Sequence, residues 1–313
     1  MKNTILIMGH KSPDTDSICA AIAYAELKKT LGFDAKPVRL GKLNRETKYI
    51  LGYFKIEEPE LVTKIIEPQS EDMKQDIILV DHNEKTQTID EADNANIIEV
   101  IDHHRIVFNT ANPLYYRAEP VGSTSTIVAK IYKENGITPT KEMAGLMLSA
   151  ILSDTVIFKS PTCTEEDINI AKELEKIAEV SIETYGKDMI IAGASIEGED
   201  LADVVKTDIK LFEFGTKRLL VSQVTTAGVN KLLETKNQII EVLEKIMKEE
   251  NVDGVVLMLT DIVLEGSELL SVGKYASLIG VGFNAKVGAD SVFLPGVLSR
   301  KKQIIPKLTE ILI

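Results

Sequence analysis

Short aliphatic runs punctuate the first hundred residues, and each stops at a polar cluster. Residues 4–8 end in Gly9-His10, residues 77–80 in Asp81-His82, and residues 97–101 in Asp102-His103-His104. Apolar runs of this length, bounded by turn residues, read as buried strands. After the first run comes a polar turn, then Ile18, Ala21, Ile22 and Ala25 on one helical face up to about Leu31, with Gly32 as the stop. Asp16 or Ser17 is the expected cap of that helix. A second strand is predicted over 36–40, and a helix over 45–54 capped by Asn44. Residues 57–75 are polar and irregular, with Pro59 and Pro68. Gly122-Ser123-Thr124-Ser125 opens a helix to about residue 135. A helix over 141–153 has Ala144, Met147, Leu148 and Ile151 on its apolar face and Asp154 at its end. Helices over 165–178 and 181–191 complete this half.

The small, polar stretch 192–199 reads as a linker. Beyond it the pattern restarts: strand 218–225, one long helix 229–250, strands 254–260, 269–272 and 291–294, and a helix 302–311. Alternating strands and helices predict an α/β protein of two domains. An N-terminal domain, 1–191, holds a parallel sheet flanked by helices, and a smaller α/β domain covers 200–313.

The chain has 313 residues, 44% apolar and 27% charged, within the range of an ordinary globular protein. Its formal charge of −12 argues against broad binding of nucleic acid or an anionic membrane. A small anion held by local cations stays compatible with it. Two cysteines, Cys19 and Cys163, are too few for a disulfide framework and fit a reduced compartment. No apolar run approaches the ~18 residues of a membrane helix. The apolar stretch before His10 is too short for a secretion signal. These readings point to the cytoplasm.

All four histidines lie within the first 104 residues, each just after a predicted strand. Ligands of open α/β sheets bind at the carboxyl ends of strands. The turn His10-x3-Asp14-x-Asp16, with Asp81 and Asp102-His103-His104, gathers carboxylates and imidazoles at that edge. Burying a carboxylate and two imidazoles there is costly unless they are paired or metallated. Asp154 sits at a helix C-terminus, where the dipole disfavours an anion and a cation is wanted. His10, Asp14, Asp16, Asp81, His103 and Asp154 make six candidate ligands, enough for two metals. Imidazole and carboxylate without thiolate suit Mn²⁺, Co²⁺, Zn²⁺ or Mg²⁺, with the imidazoles favouring transition metals. Two ions ~3.5–4 Å apart can share and deprotonate one water and polarise a phosphoryl group. The reaction class is therefore phosphoryl hydrolysis. The basic Arg300-Lys301-Lys302, in an otherwise acidic second half, is the natural anion clamp.

Seven stretches carry a family resemblance: Gly9-His10-Lys11-Ser12-Pro13-Asp14-Thr15-Asp16-Ser17, Val80-Asp81-His82-Asn83-Glu84, Val100-Ile101-Asp102-His103-His104-Arg105, Arg117-Ala118-Glu119-Pro120-Val121-Gly122-Ser123-Thr124, Leu148–Asp154, Lys159–Thr164, and Ser299-Arg300-Lys301-Lys302-Gln303. The chain resembles, over essentially its whole length, the family II inorganic pyrophosphatases. These are manganese-dependent enzymes of the DHH phosphoesterase superfamily, with a DHHA2-type C-terminal domain.

The resemblance implies hydrolysis of pyrophosphate to two phosphates by a metal-bridged hydroxide. Two Mn²⁺ per subunit are implied, with Co²⁺ able to substitute and Mg²⁺ accompanying the substrate. His10 and Asp14 would hold one metal, and Asp16, His103 and Asp154 the other. Asp81 would bridge. His104 would face the substrate as donor and acid, and Asp102 would orient its neighbours. Lys210, in Thr207-Asp208-Ile209-Lys210, would bind substrate with Arg300 and Lys301. A homodimer through the N-terminal domains and closure of the C-terminal domain over pyrophosphate are also implied. Residues 67–75 leave no room for the regulatory CBS domains that some members insert there.

Two alternatives use the same N-terminal residues. A DHH exonuclease or dinucleotide phosphodiesterase would end in a domain with a glycine-rich, histidine-containing motif, whereas this second half has no histidine. It also shows no basic, aromatic groove for stacking bases. A non-catalytic phosphate or metal sensor would have no use for His104.

Overall fold

The computed structural model describes residues 4–65, 67–68, 70, 73–195, 200–206, 208–285 and 291–313. The chain divides into two compact units, Met1–Gly193 and Ala194–Ile313.

In the first unit the elements run β1 (Ile5–Met8), α1 (Thr15–Thr30), β2 (Ala35–Arg39), α2 (Arg45–Tyr53), β3 (Glu60–Leu61), β4 (Gln75–Val80), β5 (Ala95–Asp102), β6 (Tyr115–Ala118), α3 (Thr124–Glu134), α4 (Lys141–Asp154), α5 (Glu165–Ala178) and α6 (Ile182–Gly193). The strands form one parallel sheet in the order β3-β2-β1-β4-β5-β6. Strand order reverses between β1 and β4, the point at which open α/β sheets leave a crevice.

Alternation along the strands assigns the two faces. Ile5, Ile7, Ile78, Val80 and Ile101 face the helical layer, a core that includes Ile18, Ala21, Leu27, Ile127, Leu146 and Leu148. Met8, Val38, Ile77, Leu79 and Val100 face the other way, packed with Tyr116 of β6 and with Ile65, Ile89, Phe108 and Leu114 from connecting segments. Gly145 of α4 admits the Phe54 ring so closely that a Cβ there would lie 2.2 Å from it.

The second unit contains α7 (Leu201–Lys206), β7 (Ile209–Phe214), β8 (Lys217–Thr226), α8 (Val229–Leu233), α9 (Lys236–Glu249), β9 (Gly254–Asp261), β10 (Gly266–Gly273), α10 (Ala276–Gly282), β11 (Ser291–Pro295) and α11 (Ile305–Leu312). The sheet order is β11-β10-β9-β8-β7, antiparallel except for the β8–β9 pair. All eight residues of β9 are buried. One sheet face packs on α7–α9 and the other on α10 and α11, giving three layers.

Several sequence expectations change. The helix predicted over 229–250 is broken after Leu233 and restarts at Lys236. A helix and a strand, α7 and β7, occupy 201–206 and 209–214, where none was predicted, and β6 and α10 were also unforeseen. The cap of α1 is Asp14, whose side chain accepts from the Ser17 N–H at 3.0 Å; Asp16 lies inside the first turn. Helix α6 runs through Gly193, so the first two residues assigned to the linker are helical. Linker residues 196–199 lie outside the described residues.

Candidate metal centre

The site lies on the first unit, at the carboxyl ends of β1, β4 and β5 beside the switch point. Gly9 leaves β1 under the start of α1. A Cβ at this position would lie 1.9 Å from Ser17 Oγ and 2.6 Å from the Ser17 carbonyl, so only glycine fits. The chain then turns through Ser12 at φ 54° and enters α1 at its cap, Asp14. His10 Nδ1 bonds the Lys11 carbonyl at 2.7 Å, which assigns the proton to that nitrogen. Its Nε2 lies 3.4 Å from Asp14 and 3.5 Å from Asp81. Burial pulls the His10 pKa down, but the Asp14 and Lys11 bonds and the nearby Asp14 and Asp16 charges outweigh it. The net movement is upward.

Asp81 follows β4 in a left-handed conformation, φ 60°, and is almost wholly buried. A non-glycine residue held in that region stores about 1–3 kcal/mol and is concentrated at functional sites. Thr124 Oγ1 donates to its Oδ1 at 3.1 Å. Its pKa stands well above the ordinary carboxylate value, through burial first and then the charges of Asp16, Asp14 and Asp102.

At the end of β5, His103 bonds the Val121 carbonyl through Nδ1 at 3.0 Å and leaves Nε2 3.4 Å from Asp81. Asp102 is fully buried and accepts from the Asn83 amide at 2.5 Å, the His104 ring at 2.9 Å and the His104 N–H at 3.1 Å. Burial opposes ionisation of Asp102, but these donors outweigh it and its pKa falls. The sequence suggested two buried imidazoles here. In fact the His104 side chain is 53% exposed, oriented from below by Asp102.

Two helix ends complete the cluster. The N-terminus of α3, capped by Ser123, receives the Asp16 carboxylate. Asp16 accepts from Thr124 N at 2.6 Å, Ser125 N at 3.0 Å and Ser125 Oγ at 2.6 Å. This is the anion site that free N–H groups and the helix dipole provide. Asp167, the capping-box residue of α5, fixes the turn before α3 by accepting from Gly122 N and Thr126 Oγ1.

Asp154 is the last residue of α4, and its Oδ2 is buried with no hydrogen-bond partner. Its pKa is pushed up to about 12 by burial and by Asp16, Asp81 and Asp14. Immediately afterwards Val156, Ile157 and Phe158 turn in left-handed conformations, φ 50°, 50° and 65°.

Ligand-type atoms meet within 4.8 Å of one another in three groups: His10, Asp14 and Asp81; Asp16, His103 and Asp154; and Asp81, His103 and His104. The structure therefore brings all six sequence-predicted ligands together, with Asp81 shared between groups. His104 enters one group, although the resemblance made it a substrate contact. An orphaned buried carboxylate oxygen and two carboxyls that resist ionisation fit divalent cations at this place.

The basic residues lie in the second unit. Lys210, on β7, is exposed and 3.6 Å from Asp208. Arg300 opens a π turn, Arg300–Ile304, and is nearly buried. Its guanidinium donates to the Asp208 carbonyl at 2.5 Å, the Val221 carbonyl at 3.1 Å and the Asp208 carboxylate at 2.9 Å. Lys301 is exposed. Asp208, held well ionised by Arg300 and Lys210, is thus common to two of the three cations.

Sequence reasoning did not single out Asn83, Thr124, Ser125, Asp167 or Asp208 as site residues. The Ser-Thr-Ser helix opening was the available signal for Thr124 and Ser125, since such an end exposes N–H groups to an anion.

A parallel α/β unit with an acidic, histidine-bearing sheet edge, joined to a second α/β unit, defines a two-domain protein of the DHH class. Residues 4–151 match the DHH family N-terminal domain, and residues 187–311 match the DHHA2 domain. A Bacillus licheniformis protein named as a probable manganese-dependent inorganic pyrophosphatase is 48% identical over 309 residues, covering 98% of both chains. A Clostridium acetobutylicum protein of the same name is 46% identical, covering 99% of this chain and 98% of its own. The crystal structure of a Methanococcus jannaschii protein assigned to the family II inorganic pyrophosphatases matches with TM-score 0.60 and 39% identity, over 98% of this chain and 99% of that one. The chain belongs to the family of manganese-dependent inorganic pyrophosphatases.

Proposed function

We propose that the chain hydrolyses inorganic pyrophosphate to two phosphates at the sheet edge of its first unit, with Mn²⁺ as the resident ion. The observation that carries this reading is the convergence of His10, Asp14, Asp16, Asp81, His103 and Asp154 around carboxyls that resist ionisation. His10 and Asp14 would hold one ion, Asp16, His103 and Asp154 the other, and Asp81 would serve both. Ions so held lower the pKa of a water shared between them and neutralise the phosphoryl oxygens.

The chain's own residues do the rest. The carbonyls of Lys11 and Val121 fix the tautomers of His10 and His103, leaving each Nε2 free to ligate. Asp102 holds His104 by Nδ1 and stabilises its imidazolium, whose Nε2–H would donate to a leaving phosphate. In the second unit Lys210, Arg300 and Lys301 are the cations for the substrate's remaining charge. Arg300 donates to it with the N–H groups that Asp208 and Val221 do not use.

On this reading the protein works in the cytoplasm as a homodimer joined through its first unit. Strand β6 supports that interface: it closes one side of the sheet, and Tyr115 on it and Ile106 and Val107 before it are exposed.

The test is phosphate release from pyrophosphate by metal-stripped protein restored with Mn²⁺, Co²⁺ or Mg²⁺ alone, with a short oligonucleotide as competitor. Release favoured by Mn²⁺ and Co²⁺ is expected. Oligonucleotide cleavage with pyrophosphate untouched would overturn the reading.

A further inference from the structure

A carboxylate outside the ligand set ties two of its members together. Glu46 is the second residue of α2, and its Oε1 accepts from Thr15 Oγ1 at 2.6 Å and from Ser153 Oγ at 2.5 Å. Thr15 is 1% exposed and immediately precedes Asp16 at the start of α1. Ser153 immediately precedes Asp154 at the end of α4. One oxygen thus joins the terminal turn of one helix to that of another, each one residue from a ligand of the same group.

The back of Glu46 is closed by Gly193 at the end of α6. A Cβ on Gly193 would lie 2.9 Å from Glu46 Cβ and 3.1 Å from Oε2. The carboxylate is therefore held in place rather than free on a surface.

The need for this tie is local. Asp16 is fixed independently by the α3 N-terminus, and Asp14 by the Ser17 N–H. Asp154 has no comparable anchor at its buried Oδ2 and ends its helix beside a left-handed turn.

We propose that Glu46 is a positioning residue for the ion of Asp16, His103 and Asp154, acting through the hydroxyls of Thr15 and Ser153. This rests on the two-ion reading of the site. The ion of His10, Asp14 and Asp81 does not depend on it. Groups that orient metal ligands are worth about 10–100-fold in affinity when removed.

The experiment is titration of the metal-stripped full chain with Mn²⁺, counting free ion by electron paramagnetic resonance. Wild type is expected to take up two ions per chain; fewer would refute the two-ion reading itself, whatever Glu46 does. Given two, Glu46→Ala should weaken one ion at least 10-fold and leave the other within about threefold. Glu46→Gln keeps an acceptor oxygen for both hydroxyls and should retain both ions. In a His10→Ala background the remaining ion should show the full loss, and in a His103→Ala background none.

The double variant Thr15→Val/Ser153→Ala removes the same two bonds, and the Thr15–Thr47 hydroxyl contact at 3.2 Å with them, without touching Glu46. It should reproduce the loss, and adding Glu46→Ala to it should change little, because coupled partners are non-additive. Circular dichroism checks that each variant folds, and the double variant carries the test if Glu46→Ala does not. The assignment is overturned if both ions weaken equally, if neither weakens, or if Glu46→Gln is as damaging as Glu46→Ala.

Discussion

Replacing Asp154 with asparagine should stabilise the metal-free protein and cripple the metal-loaded one. The carboxyl sits at the end of α4 with its pKa raised to about 12, mainly by burial and then by Asp16, Asp81 and Asp14. The unfolded chain ionises it near 4. A raised folded pKa means that the folded state holds a proton the unfolded state has released. Its contribution to stability is complete below pH 4 and is lost as pH rises toward 12. Each pH unit in that window costs about 1.4 kcal/mol, so at pH 7.5 the deficit is about 5 kcal/mol, an upper figure.

Asparagine needs no proton. Urea unfolding of chelator-treated protein, followed by far-ultraviolet circular dichroism, should show Asp154→Asn more stable than wild type at pH 8. The gap should shrink as pH falls to 6, because the folded state then gives up less by keeping the proton. Excess Mn²⁺ should reverse the order. A ligand at 100 times its Kd adds about 2.7 kcal/mol per site, and the variant forfeits most of that gain for the ion of Asp16 and His103. Parallel stability curves for the two proteins between pH 6 and 8 would refute the claim that Asp154 is a strained, proton-holding carboxyl. Undiminished Mn²⁺ uptake by the variant would refute its role as a ligand.

The same geometry sets other outcomes. Asp81→Ala should weaken both ions together, because Asp81 lies near both His10 and His103; two tightly held ions in equilibrium dialysis would exclude a bridging role. Arg300→Ala should raise KM and lower kcat for pyrophosphate with both ions retained. It should also destabilise the second unit by about 1–3 kcal/mol, since it leaves the Val221 and Asp208 carbonyls without their donor. Lys301→Ala, at an exposed position, should raise KM with no change in melting temperature. Gly9→Ala should lower melting temperature sharply, because its Cβ meets the Ser17 backbone as well as the side chain; a wild-type melt would mean that β1 and α1 can separate at no cost.

The sheet edge was legible because its residues sit beside strong local signals. Three aliphatic runs became β1, β4 and β5, and the polar residues after each run fall at the carboxyl end of a parallel sheet by topology alone. The cap Asn44 marked α2 for the same local reason. Strand β7 was not legible, because most of Ile209–Phe214 is exposed or half-exposed and its pattern carries little burial. Helix 229–250 read as one because its apolar period continues through the break at Glu234 and Thr235. Glu46 and Asp167 could not be found by periodicity. Their partners lie 107 and 45 residues away, and a carboxylate on a helix reads as a solvated face until the fold closes over it.

The turn after α4 bears on how this chain can be altered. Val156, Ile157 and Phe158 adopt a handedness that costs roughly 1–2 kcal/mol for each L-residue with a side chain. Val156 is 52% exposed, so its side chain returns little of that by burial. Glycine or asparagine would relieve the strain, and substitutions of this kind are readily recovered when heat resistance alone is selected. A directed-evolution campaign for thermostability would therefore be drawn to this turn early. It would then be loosening the backbone two residues from Asp154, a carboxylate of the proposed metal centre, exchanging catalytic order for thermal tolerance.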